Sequence, residues 1–437
     1  MKKTLFILFI LCSSVVSASP FWGGSILPDF FVKDTILTKG SYLVENNVKI
    51  GKNATVTFKA GCKIYFRKGA SVKVDGGIVF EGLSRTNIDI TSENKEEEGY
   101  GFIISGSNPK AEISINYTNF SNLLVPLNFE KNWVRASVTI ENSSFQYINT
   151  GEPSIIINKP DEITATEDIS FFFSTNNFIY NNSSIFIESL DSDVLDLQFY
   201  NNLITCNYYF GFELGGALYA PVSTSFNNKD AKHQAVFLGN SIYNNYMLHD
   251  VTDSIIQEVN FGIKGRGENF SLDNNYFGNK TSSEIQKTFD HSNNNSSAPF
   301  LSAAKPLKTP AAKAHCHIYK VLFNGVEPLL NKRPELTQEA LEITIAYNRP
   351  LQIREGVQYI TYSYQDTTAN KIVKVGLQSK LTVDKEKFTI VFTINDNIYL
   401  KQKIGYFTIA GLIDNEGFMI PRIEFGKELF HNTFEKQ

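Results

Sequence analysis

Carboxylates, imidazoles and phenols are the groups in this chain that could do chemistry, and the groupings that stand out lie between residues 180 and 317. Asp191, Asp193 and Asp196, with Glu188 nearby, make the densest acidic cluster. On a strand, Asp191 and Asp193 would share a face, which is the geometry that holds a cation such as Ca²⁺. The same residues also read as a solvated corner loop, and charge runs are more often that. His233, His249 and Asp250 stand near long loops, where a substrate groove could be built. They lack metal-site spacing, and single histidines are more often surface or packing groups. His315-Cys316-His317 would put two imidazoles on one side of a strand. A stable zinc site wants four ligands, so no metal centre is expected there. Gly262-Ile-Lys-Gly-Arg-Gly267 lacks the Lys-Ser/Thr pair and the helix of a phosphate loop. Tyr180, Tyr200, Tyr208, Tyr209, Tyr243 and Tyr246 neighbour Asn-rich corners. Exposed, their rings would stack on sugars while amides bond the hydroxyls. Packed, they would be lateral stacks between layers of a repeat.

The elements that must position these groups follow a beat of eight. Val56, Ile64, Val72, Phe80 and Ile88 are each eight apart. Two places on, Phe58, Phe66, Val74 and Ile90 keep the same beat, with Gly82 in the fourth slot. Apolar residues at i and i+2 are the strand period. Lys-Ala-Gly (59–61), Lys-Gly-Ala (68–70), Asp-Gly-Gly (75–77) and Ser-Arg-Thr (84–86) separate the units as turns. Three units make a coil of 24 residues, the arithmetic of a three-faced parallel β-helix. A hairpin meander would also alternate, but no Asn-Gly hairpin signal accompanies these corners. Residues 19–52 would cap the first coil, with Phe30, Phe31, Ile36, Leu43 and Val48 as the apolar candidates. Glu93 to Gly99 breaks the beat and reads as a solvated bulge.

A second signature follows, an apolar residue set among Asn and Ser. It runs through Asn119-Phe120-Ser-Asn122, Ser144-Phe145 to Asn149, Asn177-Phe178 to Asn181, Asn202-Leu203 to Asn207, Ser241-Ile242-Tyr-Asn244 and Asn275-Tyr276 to Asn279. The apolar members lie 25, 33, 25, 39 and 34 apart, so coils of 25 alternate with coils carrying loops. Asn tolerates a left-handed bend, and stacked Asn can form an amide ladder. Ligand binding by these Asn residues is the functional alternative.

Length allows two domains, and 13% aromatic residues exclude a disordered chain. A net charge of −4 argues against a nucleic-acid partner. Lys2 and Lys3, the apolar run Leu5 to Leu11 and Val16-Ser17-Ala18 predict a signal peptide over 1–18, with the exported chain starting at Ser19. That run is too short for a permanent span. Leu11 before Cys12 is too bulky for a lipid-attachment site. Cleavage leaves Cys62, Cys206 and Cys316, an odd set with no disulfide framework. Cys62 and Cys206 are expected as small core residues. The product would be extracellular, periplasmic or on the outer cell surface, and a monomer.

The opening coils (52–66, then 70–77) resemble those of secreted bacterial right-handed β-helix proteins of the pectin-lyase-like group. So does the close at Leu272-Asp-Asn-Asn-Tyr-Phe-Gly278, Glu284-Ile285, Phe289-Asp290 and Ala298-Pro299-Phe300-Leu301. There an Asn-Tyr-Trp-Gly-like motif precedes a short helix and a Pro-containing exit; Phe277 stands where Trp is common. The resemblance covers roughly 40–305 and implies fold, while the group is mixed in activity. Its hydrolases would imply an Asp-Asp pair and a His-Gly, neither of which this chain contains. Its lyases would imply a basic residue and often Ca²⁺.

Residues 301–315 read as a Pro-containing linker. Beyond them, alternating runs from Tyr319 to Phe425 predict seven or eight strands at sandwich spacing over 316–437. Ile343 to Leu351 resembles an early strand of bacterial Ig-like modules, although no Cys…Trp…Cys triplet is present. The expectation is therefore an all-β chain: a β-helix over 19–300, then a small Ig-like antiparallel sandwich. Its expected role is carbohydrate or surface binding without catalysis. A polysaccharide lyase or glycoside hydrolase acting on an acidic polysaccharide is the alternative.

Overall fold

A computed structural model describes residues 24–432 except 95–96, 107, 109–110, 134–136, 149–151, 160–168, 180, 182, 189–194, 206, 211–221, 227–234, 244, 249–255, 266–269, 279, 291–299, 311–317, 327–334, 337–339, 348–350, 355, 367–370, 386–387, 396–404, 415–422 and 427–430. Three long parallel sheets of nine, ten and eight strands run side by side, each taking every third strand of the chain over most of its length. This is a parallel β-helix. The first coil is β1 (Ser25–Ile26), β2 (Phe30–Phe31) and β3 (Thr35–Leu37). These begin the first, second and third sheets.

The beat of eight is the winding. Val56, Ile64, Val72, Phe80 and Ile88 are all buried and point inward, as do Phe58, Phe66, Val74 and Ile90. Val48 pairs with Val72, 24 residues on, while Val56 pairs with Ile78 and Ile64 with Ile90. Coils of 22 and 26 residues thus flank the expected 24. Gly82 breaks the apolar beat for a steric reason. A Cβ there would lie 2.3 Å from the Tyr117 carbonyl oxygen, because the next coil's backbone passes close by. The expected cap is itself coil: Phe31, Leu43 and Val48 are buried, but Phe30 and Ile36 are exposed. The acidic run at Glu93 is also less solvated than its charge suggests. Glu93 and Glu45 both bind Arg67, and the Glu93 side chain is only 11% exposed.

Aromatic rings fill the lumen in register. Phe120, Phe145 and Phe178 stack at 4.7 and 4.8 Å, and Phe173, Phe199 and Phe237 at 4.6 Å each. Stacked rings of consecutive coils bury large apolar surfaces without strain. The register passes from Phe178 to Ile204, not to Leu203. Leu203 pairs with Asn177 on the outer column, one residue out of the expected phase.

From Tyr117 onward, corners between the third and first sheets are one-residue bends. Tyr117, Asn142, Thr175, Asn201, Gly239 and Asn274 all have positive φ, between 46° and 71°. The residue after each bend turns its side chain inward. From coil to coil these are Thr118, Ser143, Asn176, Asn202, Asn240 and Asn275, every one buried. Asn202 uses all its hydrogen-bonding capacity. Its Nδ2 donates to Phe173 O and Asn240 Oδ1, both at 3.0 Å. Its Oδ1 accepts from Asn176 N at 2.9 Å and Asn176 Nδ2 at 3.0 Å. A second ladder links Asn181, Asn207, Asn245 and Asn260 at the next corner. The expected amide ladder is present, and the bend and the ladder belong to adjacent residues.

The far end closes with the short helix α1 (Ser282–Gln286), capped by Thr281 and Glu284. Phe289–Asp290 then ends the second sheet. Leu301–Ser302, expected in the linker, instead pairs with Phe270–Ser271, and from Ile318 onward lie two antiparallel sheets of four strands each. Phe323 and Phe407 meet between them at 5.5 Å. One strand is Ile360–Asp366, beginning after the Val357/Tyr359 position expected for it. A single buried cluster joins this core to Tyr147, Ile179, Leu203, Tyr243 and Tyr276, which lie on the outer face of the first sheet in five successive coils.

Candidate functional site

The three outer faces differ. The first sheet's outer residues are covered from the middle coils onward; Ser144, Leu203, Ser241 and Tyr243 are each 5% exposed or less. The second sheet keeps an open column. Period-2 alternation buries two residues in each strand and turns the one between them outward. In register this gives Lys49, Lys73, Ile103, Asn128, Ile156 and Phe186. Lys49 is exposed and the other five are half-buried. Successive members are about 4.8 Å apart, the spacing of parallel strands.

At its first end the column is ionic. Lys49 Nζ lies 2.7 Å from Asp75, and Lys73 lies 3.7 Å from Glu130. Burial pushes the Asp75 carboxyl up. Hydrogen bonds from Lys49 and Ser105, with the Lys49 and Lys73 charges, outweigh it and leave Asp75 below the usual carboxylate range. Asp75 is thereby held as an ion and is a poor proton donor. Farther along, Lys131 binds Glu188 at 2.8 Å, and the other Glu188 oxygen accepts from Lys159 N.

At its centre the column is amide and aromatic. Asn158 Nδ2 donates to Asn128 Oδ1 at 3.1 Å, and Asn128 Nδ2 donates to the Tyr100 hydroxyl at 3.1 Å. The relay fixes both amides and leaves the Tyr100 O–H to donate onward. Ile103, Ile156 and Phe186 supply partly exposed apolar surface beside it. Such a strip can stack on a ring and hydrogen-bond its hydroxyls. Sequence reasoning missed these residues, although each column member is the middle residue of an apolar-x-apolar triplet.

The residues singled out from sequence are scattered. Asp196 and Tyr200 share the outer face of the third sheet with Gln198 between them. Asp196 accepts from Gln198 Nε2 at 2.9 Å, and the Tyr200 ring lies 5.7 Å from Phe172. Tyr243 takes the packed alternative; it is 5% exposed, on the first sheet, with Tyr276 edge-on at 5.5 Å. Tyr208 and Tyr209 lie on a strand paired with that of Tyr246, in a small separate sheet. Asp191, Asp193, His233, His249, Asp250, Tyr180, His315 and His317 lie outside the described residues. Among the described residues no group of three or more His, Cys, Asp or Glu converges as a metal ion would require. The ladder asparagines are buried and bonded within the protein, so their role is structural. Cys62 is a buried core thiol, as expected. No helix among the described residues is long and apolar enough to cross a membrane. No family model, curated protein or solved structure matches the chain.

Proposed function

We propose that this is an exported bacterial surface protein whose β-helix binds carbohydrate along the outer face of its second sheet, without turning it over. The observation that carries this reading is the Tyr100–Asn128–Asn158 relay set among Ile103, Ile156 and Phe186. A ring-bearing, hydroxyl-rich ligand matches that combination, since aromatic faces take sugar faces and oriented amides take hydroxyls. The repeat of the column, about 4.8 Å, is close to the length of one extended sugar residue. Flanking ion pairs neutralise the charges, which favours a neutral glycan. In this reading the coil is right-handed, as parallel crossovers are, and residues 1–18 direct export. The C-terminal sheets form an Ig-like module.

The test is titration of neutral and uronate polysaccharides against the exported chain, with unsaturated-product absorbance and reducing ends followed in parallel. Phe186→Ala and Asn128→Ala should each weaken binding about tenfold, equivalent to about 1.4 kcal/mol. Product formation, or binding untouched by both substitutions, would overturn the proposal.

A further inference from the structure

We propose that the first coil is the contact surface for a second copy of this chain, joined end to end. Among the described residues, β1, β2 and β3 each have one hydrogen-bonded neighbour and form the open edge of all three sheets. Open edges of this kind template further pairing unless something blocks them. The same coil exposes Ile26 at 58%, Phe30 at 49%, Val32 at 68% and Ile36 at 64%. In the coils above, the partners of Phe30 and Ile36 are Lys49 and Thr57. The apolar rim is therefore particular to the first coil.

The occupant must satisfy backbone groups as well as apolar ones. A lipid surface cannot do the former, because unpaired N–H and C=O groups are excluded from hydrocarbon. A second copy can cover all three edges. Placed end to end about a two-fold axis, the coils wind in opposite senses across the contact, so every facing edge runs antiparallel. Outward side chains of paired antiparallel strands sit about 5 Å apart, which brings each rim against its copy. The charges suit this arrangement. Asp29, Lys33 and Lys39 are exposed, and none is in an ion pair with a described residue. A patch carrying both signs is self-complementary in an isologous contact. This departs from the monomer expected on sequence.

The experiment is hydrogen exchange of the 25–37 segment in the exported chain at several protein concentrations, with mass measured by light scattering. The proposal expects a twofold mass that falls to one on dilution, with edge amides protected only in the heavier species. Phe30→Glu combined with Ile36→Glu should abolish both while leaving circular dichroism unchanged, since both positions are exposed. Protection independent of concentration would mean the chain covers its own edge. Absent protection would mean an open edge, and a dimer surviving the double substitution would mean another interface. Each of these three results would overturn the proposal.

Discussion

The early coils, up to Ser92, and the later ones, from Thr118, solve the same problem differently. Both bury an apolar lumen, but their corners are unlike. Early corners use glycine where backbones crowd, as at Gly82, and ion pairs outside, as between Lys59 and Glu81. Later corners bury a column of amides whose every hydrogen bond is internal. A glycine corner only permits the turn. An amide ladder also fixes the register of one coil on the next, because an unpaired buried amide costs more than the bond it forms. This suits the region where coil length varies most, since a loop of any length can leave between two positions that the ladder holds.

Substitutions should sharpen that contrast. The largest effect is expected for Phe145→Ala, which empties a site stacked on both sides and should cost about 3–5 kcal/mol by chemical denaturation. Asn202→Leu follows, at about 2–3 kcal/mol, because it leaves Asn176 N–H and the Phe173 carbonyl unpaired in the interior. Were Asn202→Leu neutral, the amides would be passengers and the distinction between the halves would fall. Gly82→Ala should cost about 1–3 kcal/mol, since the neighbouring carbonyl must move.

The smallest effects are ionic and opposite in sign. Asp75 has a lowered pKa, so its contribution is present above the ordinary 3.8 and is lost as pH falls through the lowered value. Asp75→Asn should therefore destabilise at neutral pH, by at most about 1 kcal/mol because Lys49 is half exposed and solvent screens the pair. Glu98 is raised by burial, so its penalty is absent below the ordinary 4.5 and grows as pH rises through the raised value. Glu98→Gln should stabilise at neutral pH and do nothing in acid. Melting curves at both pH values check the two signs.

The fold was more legible than the site. Apolar spacing from Val56 to Ile90 reported the winding directly, because inward positions cannot be polar without partners. The later coils were legible as Asn-rich corners, yet the phase slipped at Leu203. In Thr175-Asn176-Asn177, one residue bends left-handed, one joins the ladder and one faces outward. Composition does not say which, since the choice is made by the sign of φ at the first. The open column was hidden for another reason. Lys73, Asn128 and Phe186 share no chemistry, and only the stacking of coils places them in one column.

A plain stack of coils melts piecemeal, because each layer feels only the layers above and below. The buried cluster that runs from the C-terminal sheets across Tyr147, Ile179, Leu203, Tyr243 and Tyr276 changes that arithmetic. It splints five layers with one rigid brace, so they should open as a block together with the C-terminal sheets. The unbraced layers near Ser25 remain free to fray on their own.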